Sequence, residues 1–265
     1  MVAPSAVVKQ TAKTVLKPNY IKSVVCSTVF LFLCIICYLL SGLIEIMAGR
    51  TVMYIFITLF TFFLTVPLFY GVLRFFRRMQ WGETDGIISI FHYFSSKREY
   101  LRVIKVNAVV AVRLGVIGVI LLIPAFITDL LQSSFVYDLL GTAIPLWTSN
   151  LWVVSIVLFV TALIVLFFVS LRFYIVPFIF VANEDIDALE AVRLSNIISK
   201  RTAFDFFFFM LSFIFWILIS ILLVPLCFLL PYFIMSYLVH CRFAVSQYNR
   251  VVDDLNNTSA PSYSA

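Results

Sequence analysis

Charge is scarce in this chain of 265 residues: Asp, Glu, Lys and Arg together make up 12% of it, against roughly a quarter in an ordinary soluble domain. A surface facing water on all sides needs more charge than that, so a soluble globular domain is excluded. Acidic residues are the rarer sign, 13 against 19 basic, and histidine occurs only twice. His92 and His240 have no carboxylate or cysteine at ligand or triad spacing, and there is no glycine-rich phosphate loop. The usual grounds for metal, nucleophilic or nucleotide chemistry are therefore missing, and the expectation is a protein that is not an enzyme and holds no cofactor and no metal. Cys34 and Cys37 are spaced C-x-x-C but sit in the middle of an apolar run with no strand beside them, so they read as packing residues. The excess of positive charge is divided among the connections between apolar runs instead of forming one face, which argues against nucleic acid as a partner.

Hydrocarbon is what the chain has in plenty, with 63% apolar residues and 29 phenylalanines. Several runs reach the roughly 20 residues needed to cross a bilayer as a helix. They predict an all-α polytopic membrane protein with six transmembrane helices, at about 22–46, 52–76, 106–127, 151–174, 204–224 and 231–249, preceded by an arm over 1–21 and followed by a disordered tail over 251–265. The first run follows several lysines as a signal peptide would, but it is longer than a cleavable core of about 7–15 residues and is read as a retained span. Lys9, Lys13, Lys17 and Lys22 lie before the first span. Arg74, Arg77, Arg78, Lys97, Arg98, Arg102 and Lys105 lie between the second and third, and Arg193, Lys200 and Arg201 between the fourth and fifth. The alternate connections hold one basic residue, Arg50, so the positive-inside rule places both termini in the cytoplasm.

The spans pair into three helical hairpins with short cytoplasmic amphipathic helices leading into them, and each returning span reaches an Arg-Phe pair: Arg74-Phe75, Arg172-Phe173 and Arg242-Phe243. The stretch EDIDALEAVRLSNIISKR, 184–201, reads as one such helix, with Asn183 as N-cap, acids in the first turn and bases in the last. Ala188, Ala191, Val192, Ser195 and Ser199 form a stripe of small residues suited to packing under the bundle. Ahead of the third span, Phe91, Phe94, Leu101 and Ile104 line one side of an interfacial helix, with Lys97, Arg98, Arg102 and Lys105 reaching lipid headgroups. Lys200 and Arg201 anchor the fifth span in the same way. Residues 128–150 suggest a short helix in the outer interface, and VPLCFLLPY a tight outer hairpin in which Pro225 ends one helix and Pro231 starts the next.

Residues 184–243 resemble the C-terminal signature of the bacterial integral membrane proteins of domain-of-unknown-function family 975. There a cytoplasmic A-x-x-x-S helix precedes a span with F-x-x-W, and a proline-tyrosine pair opens the last span; here these are Ala191 and Ser195, Phe213 and Trp216, and Pro231 and Tyr232. The LKPNY before the first span and FHYFSSKREYL before the third are similar too, so the resemblance covers most of residues 10–245. Ser199-Lys200-Arg201 stands where the family usually has a Gly-Asn-Lys-like turn. The resemblance implies a bacterial inner-membrane location and no particular activity. The architecture is also similar to the membrane domain of some glycerophosphodiester phosphodiesterases, which implies a connection with envelope lipids.

Ionisable groups inside the bilayer are the remaining candidates for function, because each costs about 2.5–3.5 kcal/mol to insert. Arg113 and Arg242 fall in the inner half of their spans with no carboxylate expected at their depth. Each either snorkels to phosphates or lines an anion-accepting cavity. On the third span Ala108, Ala111, Gly115 and Gly118 share a face fit for close packing, and Arg113 points away from it. His240, beside Tyr237, is either a hydrogen-bonded packing residue or a proton relay. The expectation is a multipass protein that handles or transports a lipid-like or anionic amphipathic molecule at Arg113, Arg242, His240 and Tyr237. The alternative is a scaffold whose cytoplasmic helices bind a partner protein. Expected partners are anionic lipids of the bilayer, with a membrane protein partner or a second copy of the chain as further possibilities.

Overall fold

A computed structural model describes residues 5–83, 86–133, 151–219 and 223–259. The regular structure there is helical throughout: α1 Ser5–Leu16, α2 Tyr20–Ala48, α3 Arg50–Phe60, α4 Val66–Gln80, α5 Lys97–Leu130, α6 Leu151–Ser170, α7 Val176–Ala182, α8 Ala188–Leu211, α9 Ile214–Ile219 and α10 Leu223–Ser259. Among the described residues, five stretches are long and apolar enough to cross a membrane: Ser5–Ala48, Arg50–Gln80, Lys97–Leu130, Leu151–Ala182 and Leu226–Val251. The chain is thus an all-α multipass membrane protein. Large apolar side chains such as Leu39, Tyr54, Val119, Phe126 and Val157 are exposed along these helices, as expected of surfaces that face lipid.

Neighbouring helices run antiparallel. Ser23 of α2 meets Met79 of α4 at 3.3 Å, and seven residues on, Phe30 meets Phe69 with ring centroids 6.2 Å apart. On α5 and α6, Gly118 lies against Leu166, and Ser155 donates to the Ala125 carbonyl at 3.3 Å. The α8–α10 pair is aromatic, with Phe209 on His240 at 4.9 Å and Phe213 on Tyr232 at 5.7 Å. A π-helical turn, Thr61–Thr65, joins α3 to α4 just before Pro67; the widened turn accommodates the missing proline N–H.

Several boundaries depart from the sequence reading. The short helix of 184–201 and the start of the fifth span are one helix, α8, which is capped by Asp187, not Asn183; its carboxylate accepts from the Leu189 amide at 3.4 Å. That helix stops at Leu211, so 204–224 is not one uninterrupted span. Ser212 Oγ donates to the Phe209 carbonyl at 2.5 Å, a local bond that competes with the helix ladder, and α9 begins after a turn at Ser212–Phe213. The supposed hairpin at 225–231 is helical instead: α10 runs through both prolines. In apolar surroundings a backbone left outside a helix has nothing to bond to, which outweighs the single bond a proline removes. Lys97 to Lys105 form the first turns of α5 itself and not a separate interfacial helix, while Ile87–Phe94 is a 3-10 segment folded back on α4. The tail is helical to Ser259, where disorder from 251 was expected. The outer-interface helix expected within 128–150 lies outside the described residues from 134 onward, and α5 occupies the part before it up to Leu130.

Candidate functional site

The four residues proposed from the sequence are not gathered in one place. His240 is 2% exposed, stacked on Phe209, and 3.5 Å from the Tyr174 hydroxyl, which in turn donates to Thr202 Oγ1 at 2.9 Å. Tyr237 joins this cluster by donating to the Tyr174 carbonyl at 2.6 Å. Arg242, one residue from buried Cys241, is exposed, with its guanidinium 5.2 Å from the Trp81 ring. Arg113 is half-buried on α5 and has no hydrogen bond or ion pair among the described residues. None of the four lines any of the three cavities described below. The small-residue face of α5 is also used less than expected: Gly118 is buried, but Ala111 and Gly115 are exposed.

The headgroup anchors divide. Lys97, Arg98, Lys200 and Arg201 are exposed, as a side chain reaching for phosphate must be, whereas Lys105, also exposed, is taken up by Asp187. Arg102 is an interior clamp. It pairs with Glu99 at 3.0 Å, donates to the Ile186 carbonyl at 3.2 Å and that of Asn183 at 3.4 Å, and lies 4.8 Å from the Phe180 ring. It belongs to a knot around residues 181–187 in which Arg74 pairs with Glu184 at 2.9 Å, Arg77 donates to the Val181 carbonyl, and Lys105 pairs with Asp187 at 2.8 Å. The acidic end of the stretch therefore draws in bases from α4 and α5. The knot perturbs its neighbours: burial pushes the Tyr93 hydroxyl up to about 12, and burial together with the Arg74 charge keeps His92 below its ordinary value. The stripe Ala188, Ala191, Val192, Ser195 and Ser199 is buried, and both serines donate to the Arg172 carbonyl, at 3.0 and 2.7 Å.

Among the described residues, three cavities stand out. One of about 290 Å3 lies between α6 and α8 beside Arg172 and Lys200, and one of about 580 Å3 lies between α8 and α10 beside Arg201, Asp205 and Gln247. The largest of these three, about 1090 Å3, is a groove between α1 on one side and α9 with the start of α10 on the other. Val8, Ala12 and Leu16 recur every four residues along α1 and are buried, as a helix that packs on a neighbour requires. Lys9, Lys13 and Lys17 follow each of them by one residue and line the groove. Trp216, Phe228, Leu229 and Tyr232 form the facing wall. Lys9 is held by the break in the fifth run: its ammonium donates to the Ser212 carbonyl at 2.9 Å and sits 4.3 Å from the Phe213 ring centroid, while Lys13 lies 5.7 Å from that of Tyr232.

The sequence reading treated these lysines only as topological signals. Their register with Val8, Ala12 and Leu16 was the available clue, and what stood opposite them was not. No Asp or Glu occurs in residues 1–44 or 206–252, so the segments that build the groove bring no negative charge to it. Among the described residues, no group of three or more His, Cys, Asp or Glu is placed to hold a metal. The family described as "Protein of unknown function (DUF975)" matches the chain over residues 1–246. No curated protein and no solved structure matches it.

Proposed function

The chain belongs to the DUF975 family, proteins of unknown function, and from there we propose that it is a binding protein for an anionic amphipath of the bilayer, which it takes up in the groove beside α1 and handles or transports without converting it chemically. One observation carries this reading: a row of three lysines faces a wall of aromatic and aliphatic side chains across about 1090 Å3, with no carboxylate in the lining. Its volume is at the upper end of that of ordinary small-molecule pockets, about 300–1,000 Å3, enough for a headgroup and the start of an acyl chain. The charges of Lys9 and Lys13 reach across the groove to its far wall, Lys9 to the Ser212 carbonyl and the Phe213 ring and Lys13 toward the Tyr232 ring.

This reading moves the site away from Arg113, Arg242, His240 and Tyr237 and keeps the ligand class. The distribution of cations supports cytoplasmic termini, and a bacterial inner-membrane location is kept with it. The scaffold alternative, a partner protein on the cytoplasmic helices, has no comparable observation in its favour. The test is native mass spectrometry of the purified protein. Wild type is expected to retain anionic phospholipid, and Lys9→Gln/Lys13→Gln/Lys17→Gln to lose it while Arg113→Gln/Arg242→Gln retains it. Retention by the triple lysine variant would refute the groove as the site.

A further inference from the structure

Building on that reading, we infer that the ligand of the α1 groove is an amphipath whose headgroup carries two phosphate groups. The argument starts from charge balance. Lys9 and Lys13 on α1 and Lys17 in the 3-10 turn that follows it, Lys17–Asn19, recur every four residues, about 6 Å apart along the axis. Like charges at that spacing repel and weaken a helix. Elsewhere in the described structure three of the four bases around 181–187 are paired with carboxylates, Arg74 with Glu184, Arg102 with Glu99 and Lys105 with Asp187. Along α1 no such compensation is possible from the groove's own segments, since residues 1–44 and 206–252 contain no acid.

One monoanionic headgroup cannot serve the whole row. A phosphate placed between two adjacent lysines leaves the third about 6 Å further along the axis. Two phosphates, joined directly or through a short linker, span the row and meet all three. Lys9 is already positioned for one of them: a single bond to the Ser212 carbonyl at 2.9 Å occupies one of the three donors of an ammonium and leaves the others for a ligand. Gln10 and Tyr20 also line the groove and add neutral donors at its polar side. The hydrocarbon portion has its own surface in Trp216, Phe228 and Leu229, of which Trp216 and Phe228 are more than half exposed, at 52% and 51%. A ligand with two phosphates and no chain would leave that wall bare, and a lipid with one phosphate would leave a lysine unmatched.

The test measures binding to the full-length protein in detergent for four probes: a lipid with two phosphates bridged by glycerol, an isoprenyl diphosphate, phosphatidylglycerol with its single phosphate, and inorganic diphosphate. A charge-assisted contact to one further lysine is expected to give either two-phosphate lipid an advantage of about tenfold or more over phosphatidylglycerol. Lys17→Gln should remove most of that advantage while leaving phosphatidylglycerol binding nearly unchanged, and Trp216→Ala should weaken the lipids but not inorganic diphosphate. The relative affinity of the two lipids distinguishes a linked pair of phosphates from a direct diphosphate. Equal affinity for one-phosphate and two-phosphate lipids, with both lost in the triple lysine variant, would overturn this inference and leave the groove as an anionic-lipid site. Binding of any lipid that ignores all three lysines would overturn both. Inorganic diphosphate binding as tightly as the lipids would show the site to be one for a soluble anion. Thermal unfolding of each variant separates loss of binding from loss of fold.

Discussion

At the residue scale, Gly71 of α4 has the tightest surroundings of the described glycines. A Cβ at that position would fall 1.8 Å from the Ile90 carbonyl oxygen. The obstacle is backbone and not a side chain that can rotate away, so Gly71→Ala must push the 3-10 segment off α4. It is expected to cost about 1–3 kcal/mol, the usual range for overpacking, read as a lowered unfolding midpoint in detergent. Gly115 is the control, because nothing lies within 4 Å of its Cβ position. Gly115→Ala should be neutral or stabilising by up to about 1 kcal/mol through helix propensity, and an equal loss at both positions would refute the assignment. Of the two glycines singled out on α5, Gly118 packs against Leu166 and Gly115 faces open space, and Gly71 was not singled out. Small residues at helical spacing on α5 permit a close approach, but whether a neighbour uses it depends on a partner that the local sequence does not specify. Gly71 faces Ile90, in a segment read as part of an interfacial helix.

At the element scale, the loop before α8 acts as a clasp. Its carbonyls and carboxylates take up Arg74 and Arg77 from α4 and Arg102 and Lys105 from α5, so it joins three elements that share little else that is polar. Arg102 makes the most of these contacts. Arg102→Gln should therefore destabilise the protein by about 2 kcal/mol, in the range of a charge-assisted hydrogen bond, whereas exposed Arg98→Gln should change it little; similar losses for both would mean that Arg102 is only a surface cation. The clasp is also pH-dependent. The hydrogen bond from Lys105, followed by the amides of Ala188 and Leu189, holds the Asp187 carboxyl below its ordinary value. A carboxyl with a depressed value stabilises the fold above its unfolded pKa of about 3.9 and loses that contribution as pH falls through its folded value. The unfolding midpoint should accordingly fall on acidification below about pH 4, and less steeply in Asp187→Asn, which retains an N-cap side chain without the charge. Identical pH profiles for the two proteins would remove Asp187 from the account. The sequence made the acid-first, base-last order of 184–201 visible, and the helix dipole was the local explanation for it. The partners Arg74 and Lys105 lie 110 and 82 positions before Glu184 and Asp187 in the chain, out of reach of any local pattern.

At the scale of the whole molecule, the long apolar helices were legible because a bilayer imposes one strong requirement, a charge-poor helix of sufficient length. Four of the expected spans lie within continuous helical stretches, and the last lies within α10. What proline and serine do inside such helices was not legible: Pro225 and Pro231 were read as breaks and are not, while Ser212, beside which the break occurs, carries no such signal. The consequence is topological. Counting only the five stretches that satisfy length and composition would put the two termini on opposite faces, while a further crossing made by α8 and α9 together returns them to the same face. Residues 206–241 contain no Asp, Glu, Lys or Arg. Two crossings need about 40 residues, and this stretch supplies most of them, with the upper turns of α8 contributing the rest. The broken helix is tolerable because Lys9 satisfies the Ser212 carbonyl exposed by the turn, in keeping with the rule that irregular backbone at membrane depth needs a partner within the protein. A six-crossing chain with cytoplasmic termini requires that a fluorescent reporter fused after Ala265 emit and that alkaline phosphatase at the same position be inactive, while phosphatase inserted near residue 140 is active. An active phosphatase at both positions would establish five crossings. The α8–α9 unit would then be a re-entrant element held by α1, and Lys9→Ala, which leaves the Ser212 carbonyl without its donor, should in that case alter the accessibility of cysteines placed at Ser212.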